Sequence, residues 1–259
     1  MQKINYFFFT ALILVSFIAS AAEKKQLHIG IETTFAPFSN KTSDGKITGF
    51  DYDIGNALCS VMEARCIWVE HDFDSLIPSL MDGELDAVIS SISITNERLK
   101  LLDFSNKYYQ LPGKLVMRKG TNIRHLAKDL RGQKMGVLRS SIYDIYATTK
   151  FSSLGVSIIR YGSQRQMFHA LAAGRISSVL DLSVNIEQIF LNTEAGKDFA
   201  FVGPNFSEEK YFGQGVGVAV RKGNKSLAKR FSQAIDIIRY DGQYGHIEDK
   251  YFMFDIYGS

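Results

Sequence analysis

Short apolar runs of strand length alternate with longer segments of helical period, and they do so in two separate series along the chain. A polypeptide with that rhythm buries its apolar faces best as sheets covered by helices, which predicts an α/β architecture. In the first series LHIGIE reads as a strand, GKITGF as another after the Asp44-Gly45 turn, and DYDIGNALCSVMEA as a helix. CIWVEH is then a strand, DSLIPSLMDGE a helix interrupted or opened near Pro78, and LDAVISS a strand. The second series runs strand, helix, strand, helix, strand through QKMGVLRS, SIYDIYATTK, SIIRYG, QRQMFHALAAG and ISSVLDL. Between the two lies YYQLPGKLVMRKG, an extended segment punctuated by Pro112-Gly113. After the second series come a strand in KYFGQGVGVAVRKG, a strongly periodic helix in SLAKRFSQAIDIIRYDG and a last short helix in YGHIEDKYF. Two units of similar size predict two lobes facing one another across a cleft.

Ligands of such sheets gather beyond the carboxyl ends of the strands. Glu32 and Phe35 follow LHIGI, Phe73 follows CIWVEH, Ser90 to Ser93 follow LDAVI, Ser140 and Ser141 follow MGVL, and Asp181 follows SSVL. Core strands bury apolar side chains. Hydroxyls clustered where LDAVI stops, then a single arginine in SSISITNER, therefore point to a small polar molecule held there.

Other chemistries find little support. The opening segment MQKINYFFFTALILVSFIASAAEKK has a basic start at Lys3, an apolar run from Tyr6 to about Ala19, and small residues before charge returns. It is expected to be a secretory signal peptide cleaved after Ala21 or Ala22, because the run falls short of the ~20 residues a spanning helix needs. A formal net charge of +3 without a basic run gives no footprint for nucleic acid. The five histidines are scattered, and neither HExxH nor CxxC occurs, so no metal and no cofactor is expected. In an oxidising compartment Cys59 and Cys66, seven apart, favour a disulfide over two buried free thiols.

The stretches TTFAPFSNKTSDGKITGFDYDIGNALC, DFDSLIPSLMDGELDAVISSISITNERLKLLDFSNKYY, AGKDFAFVGP, KYFGQGVGVAVRK and DKYFMFDIYG, together with the cysteine pair, carry a joint pattern. In these the chain resembles, almost end to end, the periplasmic receptors for polar amino acids of ABC import systems, most of all the lysine/arginine/ornithine and histidine binding proteins. The resemblance implies a two-lobed type II binding-protein fold. Lobe one would be about 23–110 plus 212–259, lobe two about 113–206, with hinges near 110–113 and 207–213. It also implies a periplasmic monomer that captures a polar, cationic amino acid by lobe closure, arginine ahead of lysine, ornithine or histidine, and delivers it to a membrane permease complex.

Carried over residue by residue, Arg98 would grip the ligand's α-carboxylate, helped by the backbone amides of Ser93 and Ile142. The Ser91 carbonyl and Ser93 hydroxyl would accept from the α-ammonium. Phe35 and Phe73 would sandwich the side-chain stem, and Glu32, standing where basic-ligand receptors carry aspartate, would take the distal cation. Ser90 and Tyr143 would add hydroxyls, and Leu138 and Ser141 complete the set.

This sequence departs from the pattern in places. Seven residues after Arg175, where the family anchors the α-ammonium with aspartate, stands Leu182; its neighbour Asp181 is the expected substitute. Strand side chains alternate faces, so that substitution needs the backbone to turn at the strand end. Ile142 and Tyr143 replace polar residues, and Tyr52 is bulkier than usual. Taken alone, Arg98 also suits an exposed helix charge paired with Glu97 or Asp103. The alternatives in function are a secreted dehydratase-like enzyme using Glu32 as acid or base, and an amino-acid sensor for a signalling receptor.

Overall fold

The computed structural model describes residues 25–121 and 123–258; the expected signal peptide lies outside the described residues. The first half of the chain forms strands β1 (Lys25–Ile31), β2 (Thr34–Phe35), β3 (Ser39–Lys41) and β4 (Ile47–Thr48), then helix α1 (Phe50–Val61). It continues with β5 (Ala64–Glu70), α2 (Phe73–Asp82), β6 (Ala87–Val88), α3 (Asn96–Leu101) and β7 (Leu102–Tyr109). The second half adds β8 (Gly113–Arg118), α4 (Leu126–Asp129), β9 (Lys134–Leu138), α5 (Ile142–Phe151), β10 (Ser157–Tyr161) and α6 (Gln164–Ala172). Then follow β11 (Ser178–Leu182), α7 (Ser183–Ile186), β12 (Phe199–Phe206), α8 (Glu209–Phe212), β13 (Val216–Arg221), α9 (Lys225–Tyr240) and α10 (Gln243–Glu248).

Two five-stranded sheets result, in the orders β5-β1-β6-β13-β7 and β10-β9-β11-β8-β12, beside a small sheet β2-β3-β4. In the first, β1 pairs parallel with β5 and β6, while β13 returns antiparallel between β6 and β7. In the second, β9 pairs parallel with β10 and β11, and β8 runs antiparallel to β11 and β12. This is the α/β arrangement expected, with helices on the sheet faces. The chain passes between the sheets twice, at 110–112 and at 207–215. Gly213 in the second passage has φ +75°, and a Cβ there would stand 2.1 Å from the Ile94 carbonyl oxygen, so only glycine fits.

The apolar periods of the sequence form the core. Ile29, Ile31, Leu76, Leu80, Val88 and Val218 are buried around the first sheet, and Met135, Val137, Leu171 and Leu180 around the second. The Cys59–Cys66 disulfide joins α1 to β5 with a Cα–Cα distance of 6.0 Å, so the thiols are not free. Local differences from the reading have local causes. GKITGF is a strand only over Ile47–Thr48; Gly49, at φ +124°, turns the chain and Phe50 opens α1. Helix α2 runs unbroken through Pro78, which forgoes only the bond its missing N–H would make to the Asp74 carbonyl. Outside the strands the units built on the two sheets also touch directly: Asn185 Nδ2 donates to the Ala36 carbonyl (2.8 Å) and Gln188 Nε2 to the Tyr251 carbonyl (3.3 Å).

Candidate functional site

Between the two sheets, at the carboxyl ends of β1, β9 and β11, lies a cavity of about 300 Å³ walled by both halves. Glu32, Phe35, Phe73, Ser91, Ser93, Arg98, Leu138, Ser141, Ile142, Tyr143 and Asp181 all line it. Ser90 does not. Its buried Oγ instead accepts from the Glu32 backbone N–H (3.0 Å).

Arg98 is the positive pole of the cavity. It lies on α3, whose cap is the Thr95 hydroxyl accepting from the Arg98 amide (3.2 Å), and its Nη1 donates to the Ser93 carbonyl (3.1 Å). The pairings that an exposed helix charge would use are taken, since Glu97 binds Lys100 and Asp103 binds Lys222. Arg98 is only 8% exposed and has no carboxylate partner among the described residues, and burial pulls its pKa down to about 10. A buried guanidinium without a counter-ion is costly unless an anion meets it. The amino end of α5 approaches the same space: Ser141 caps it by accepting from the Asp144 amide (3.2 Å), and Ile142 and Tyr143 line the cavity. First-turn amides have no intrahelical acceptor, and the helix dipole adds positive potential there.

Two loops are bent to present these groups. Ser91 and Ser140 hold left-handed backbone angles, φ 56° and φ 61°, a conformation that non-glycine residues keep only when their surroundings enforce it. Buried Asp51 supplies that enforcement for Ser91, accepting from its hydroxyl (2.8 Å) and from the Tyr108 hydroxyl (2.9 Å).

Two carboxylates share the cavity with the arginine. Glu32, 3% exposed, accepts the Thr34 hydroxyl at Oε1 (2.7 Å), while its Oε2 has no hydrogen-bond partner. Burial raises its pKa to about 7 against the opposing Thr34 bond, with Asp72, Asp74 and Asp51 adding repulsion. Asp181, 1% exposed, accepts the Leu182 amide at Oδ1 (2.8 Å) and leaves Oδ2 unpartnered; burial raises it to about 8. Strand β11 ends at Leu182, where the backbone turns into α7, and both Asp181 and Leu182 face the cavity.

The remaining wall is apolar and aromatic. Phe35 stacks on Phe38 (5.3 Å between centroids), which stacks on Tyr109 (4.8 Å), so this side is backed by a rigid pile. Tyr143 leans over Gly113, where a Cβ would meet its ring at 2.6 Å. Sequence reasoning passed over Tyr109, Gln164 and Asn205, which also line the cavity. Gln164 stands just beyond β10, so the strand-end rule applied to SIIRYG would have found it. Among the described residues no cluster of metal-ligating side chains occurs, and no helix is long and apolar enough to cross a membrane.

Comparison with known proteins gives a consistent result. Residues 27–254 match the model of the bacterial extracellular solute-binding proteins, family 3. The chain is 49% identical over 259 residues to an L-arginine-binding protein of Pseudomonas aeruginosa, covering 100% of both chains. It is 42% identical over 239 residues to the lysine/arginine/ornithine-binding periplasmic protein of Escherichia coli, covering 92% of each. Among solved structures it is similar to a Salmonella typhimurium periplasmic binding protein of high arginine specificity, with a TM-score of 0.81, 33% identity, and coverage of 88% of this chain and 100% of that one.

Proposed function

Because the chain belongs to the bacterial extracellular solute-binding proteins of family 3, we propose that it is the periplasmic receptor of an ABC importer and that arginine is the solute it carries. The observation that carries the choice of solute is the charge inventory of the cavity. One buried guanidinium without a carboxylate faces two buried carboxylates without a cation, and arginine brings the complement, one carboxylate and two cationic groups.

Each group then has a role. Arg98 and the amino end of α5 hold the α-carboxylate, Asp181 takes the α-ammonium in place of the family aspartate at 182, and Glu32 takes the guanidinium. Phe35 and Phe73 flank the stem, where a cation gains ~0.5–2 kcal/mol from a ring face. The segments 110–113 and 207–213 are the hinges between lobes 23–110 plus 212–259 and 113–206. Because both lobes contribute, ligand favours the closed form, and about 10⁴-fold preference for that form moves a 1:99 equilibrium to 99:1. The relatives are binding proteins and this chain is one as well, not an enzyme. Signal cleavage after Ala21 or Ala22 releases it to the periplasm as a monomer, and a permease complex supplies the transport energy.

Calorimetry of the ligand-stripped mature protein against arginine, lysine, ornithine, histidine and glutamine tests this reading. Arginine is expected to bind tightest. Glutamine binding tighter than every cationic candidate would remove Glu32 from its role and the reading with it.

A further inference from the structure

Gln164 is the first residue of α6, directly after the Ser163 cap, whose hydroxyl accepts from the Gln166 amide (3.4 Å). Its side chain is 1% exposed and lines the cavity, and its Oε1 has no hydrogen-bond partner. A helix start needs no glutamine, and a buried amide oxygen without a donor destabilises the site that holds it. Something in the cavity is expected to supply that donor.

The neighbourhood indicates which end of a ligand does so. Helix α6 packs against β2, the strand carrying Thr34 and Phe35; Phe35 faces the cavity and the Thr34 hydroxyl holds Glu32. Glu32 Oε2 is likewise buried and unpartnered. One lobe therefore offers a carboxylate oxygen and the other a neutral amide oxygen on the same side of the cavity, both short of donors.

We propose that Gln164 is a specificity-determining residue whose amide oxygen accepts a hydrogen bond from the ligand's distal cation beside Glu32, selecting a guanidinium over a primary ammonium. This rests on the reading of the cavity as a cationic amino-acid site. A guanidinium carries five N–H donors in a fixed plane and can serve two acceptors on different sides at once. An ammonium at the end of a lysine or ornithine stem gathers its three donors on one nitrogen, so held against Glu32 it does not span to the amide oxygen of the other lobe, which stays unpaired. Sites with a buried polar group discriminate strongly against ligands that fail to pair it.

The test is calorimetric titration of arginine, lysine and ornithine into the wild type, Gln164→Met and Gln164→Glu, each checked for folding by thermal unfolding without ligand. In Gln164→Met arginine affinity is expected to fall about 10-fold or more, with lysine and ornithine changed by less than about threefold. In Gln164→Glu a second carboxylate serves an ammonium as well, so the preference for arginine over lysine is expected to narrow. Equal losses for all three ligands in Gln164→Met, or an unchanged arginine affinity, would overturn the proposal. Should Gln164→Met not fold, the arginine-to-lysine ratio of Gln164→Glu decides, an unchanged ratio counting against it. If the wild type binds none of the three, the cationic amino-acid reading itself fails, a result separate from either variant's behaviour.

Discussion

Arg139 Nη1 lies 3.0 Å from Asp74 Oδ2, and the two residues come from opposite halves of the molecule: Arg139 follows β9, and Asp74 sits in the first turn of α2. Neither residue lines the cavity. On the proposed closure the pair would form only when the halves are together, and so would favour the closed form without touching a ligand.

The guanidinium of this pair is 53% exposed, so solvent screens the attraction and its worth is small. Arg139→Ala is expected to weaken arginine binding by roughly two- to fivefold, through faster dissociation rather than slower association. Asp74→Ala should match it, and the double variant should add nothing. Stopped-flow kinetics at low and high salt check this; an effect that persists undiminished in high salt would remove the ion pair as its cause.

Arg98 calls for the opposite expectation. It is buried, and its charge has no carboxylate partner among the described residues, so the proposed role rests on the ligand alone. Arg98→Lys keeps the charge but loses the two parallel donors, and Arg98→Met loses both. Affinity is expected to drop by about 100-fold or more in either, since breaking one side of a buried ion pair costs several kcal/mol. Arg98→Met should fold at least as stably as the wild type without ligand, because an uncompensated buried charge has been removed. Calorimetry with thermal unfolding separates these effects; near-normal affinity in Arg98→Met would refute the assigned role.

Much of this was legible in the chain because the relevant signals are local. The apolar runs of β1, β9 and β11 announce themselves, and residues just past their ends become the cavity wall. What was not legible depended on context. Helix α3 passes into β7 with no residue between Leu101 and Leu102, so no turn signal separates them. Strand β12 contains Gly203 and Pro204, which read as a break; Pro204 is tolerated because β12 is the edge of its sheet and the register shifts between Val202 and Phe206. The burial of Arg98 within the polar run TNERLK, and the hidden service of Ser90 to the Glu32 amide, follow from tertiary packing that no local pattern encodes.

The disulfide should matter for stability alone. Cys59 and Cys66 close a short loop at the end of α1, and none of the cavity wall comes from α1 or β5. Replacing both by serine is expected to cost about 2 kcal/mol of stability, the loop-entropy value for so short a bridge. Arginine affinity should stay within about twofold, since sites that share no partners act independently. Thermal unfolding alongside calorimetry checks both halves of the claim.

The buried carboxylates set the pH behaviour. Burial raises Glu32 and Asp51 to about 7 and Asp181 to about 8, from ordinary values of 4.5 and 3.8 for glutamate and aspartate. For an acid raised on folding, the folded protein holds protons that the unfolded chain has already released. These groups therefore contribute stability that is complete below about pH 4 and is lost as pH climbs to about 8. A cationic ligand inverts the preference, because it needs Glu32 and Asp181 ionised, so binding releases protons and affinity rises with pH until both have titrated. The ligand-free unfolding midpoint is expected to fall between about pH 5 and 8 while the arginine-induced increase in that midpoint grows. Calorimetry in two buffers of different ionisation enthalpy should detect proton release near pH 6. Asp181→Asn should reduce that release and weaken arginine binding by about 10-fold or more. An arginine-induced shift of constant size across the whole interval, with no proton release, would show that neither carboxylate meets the ligand.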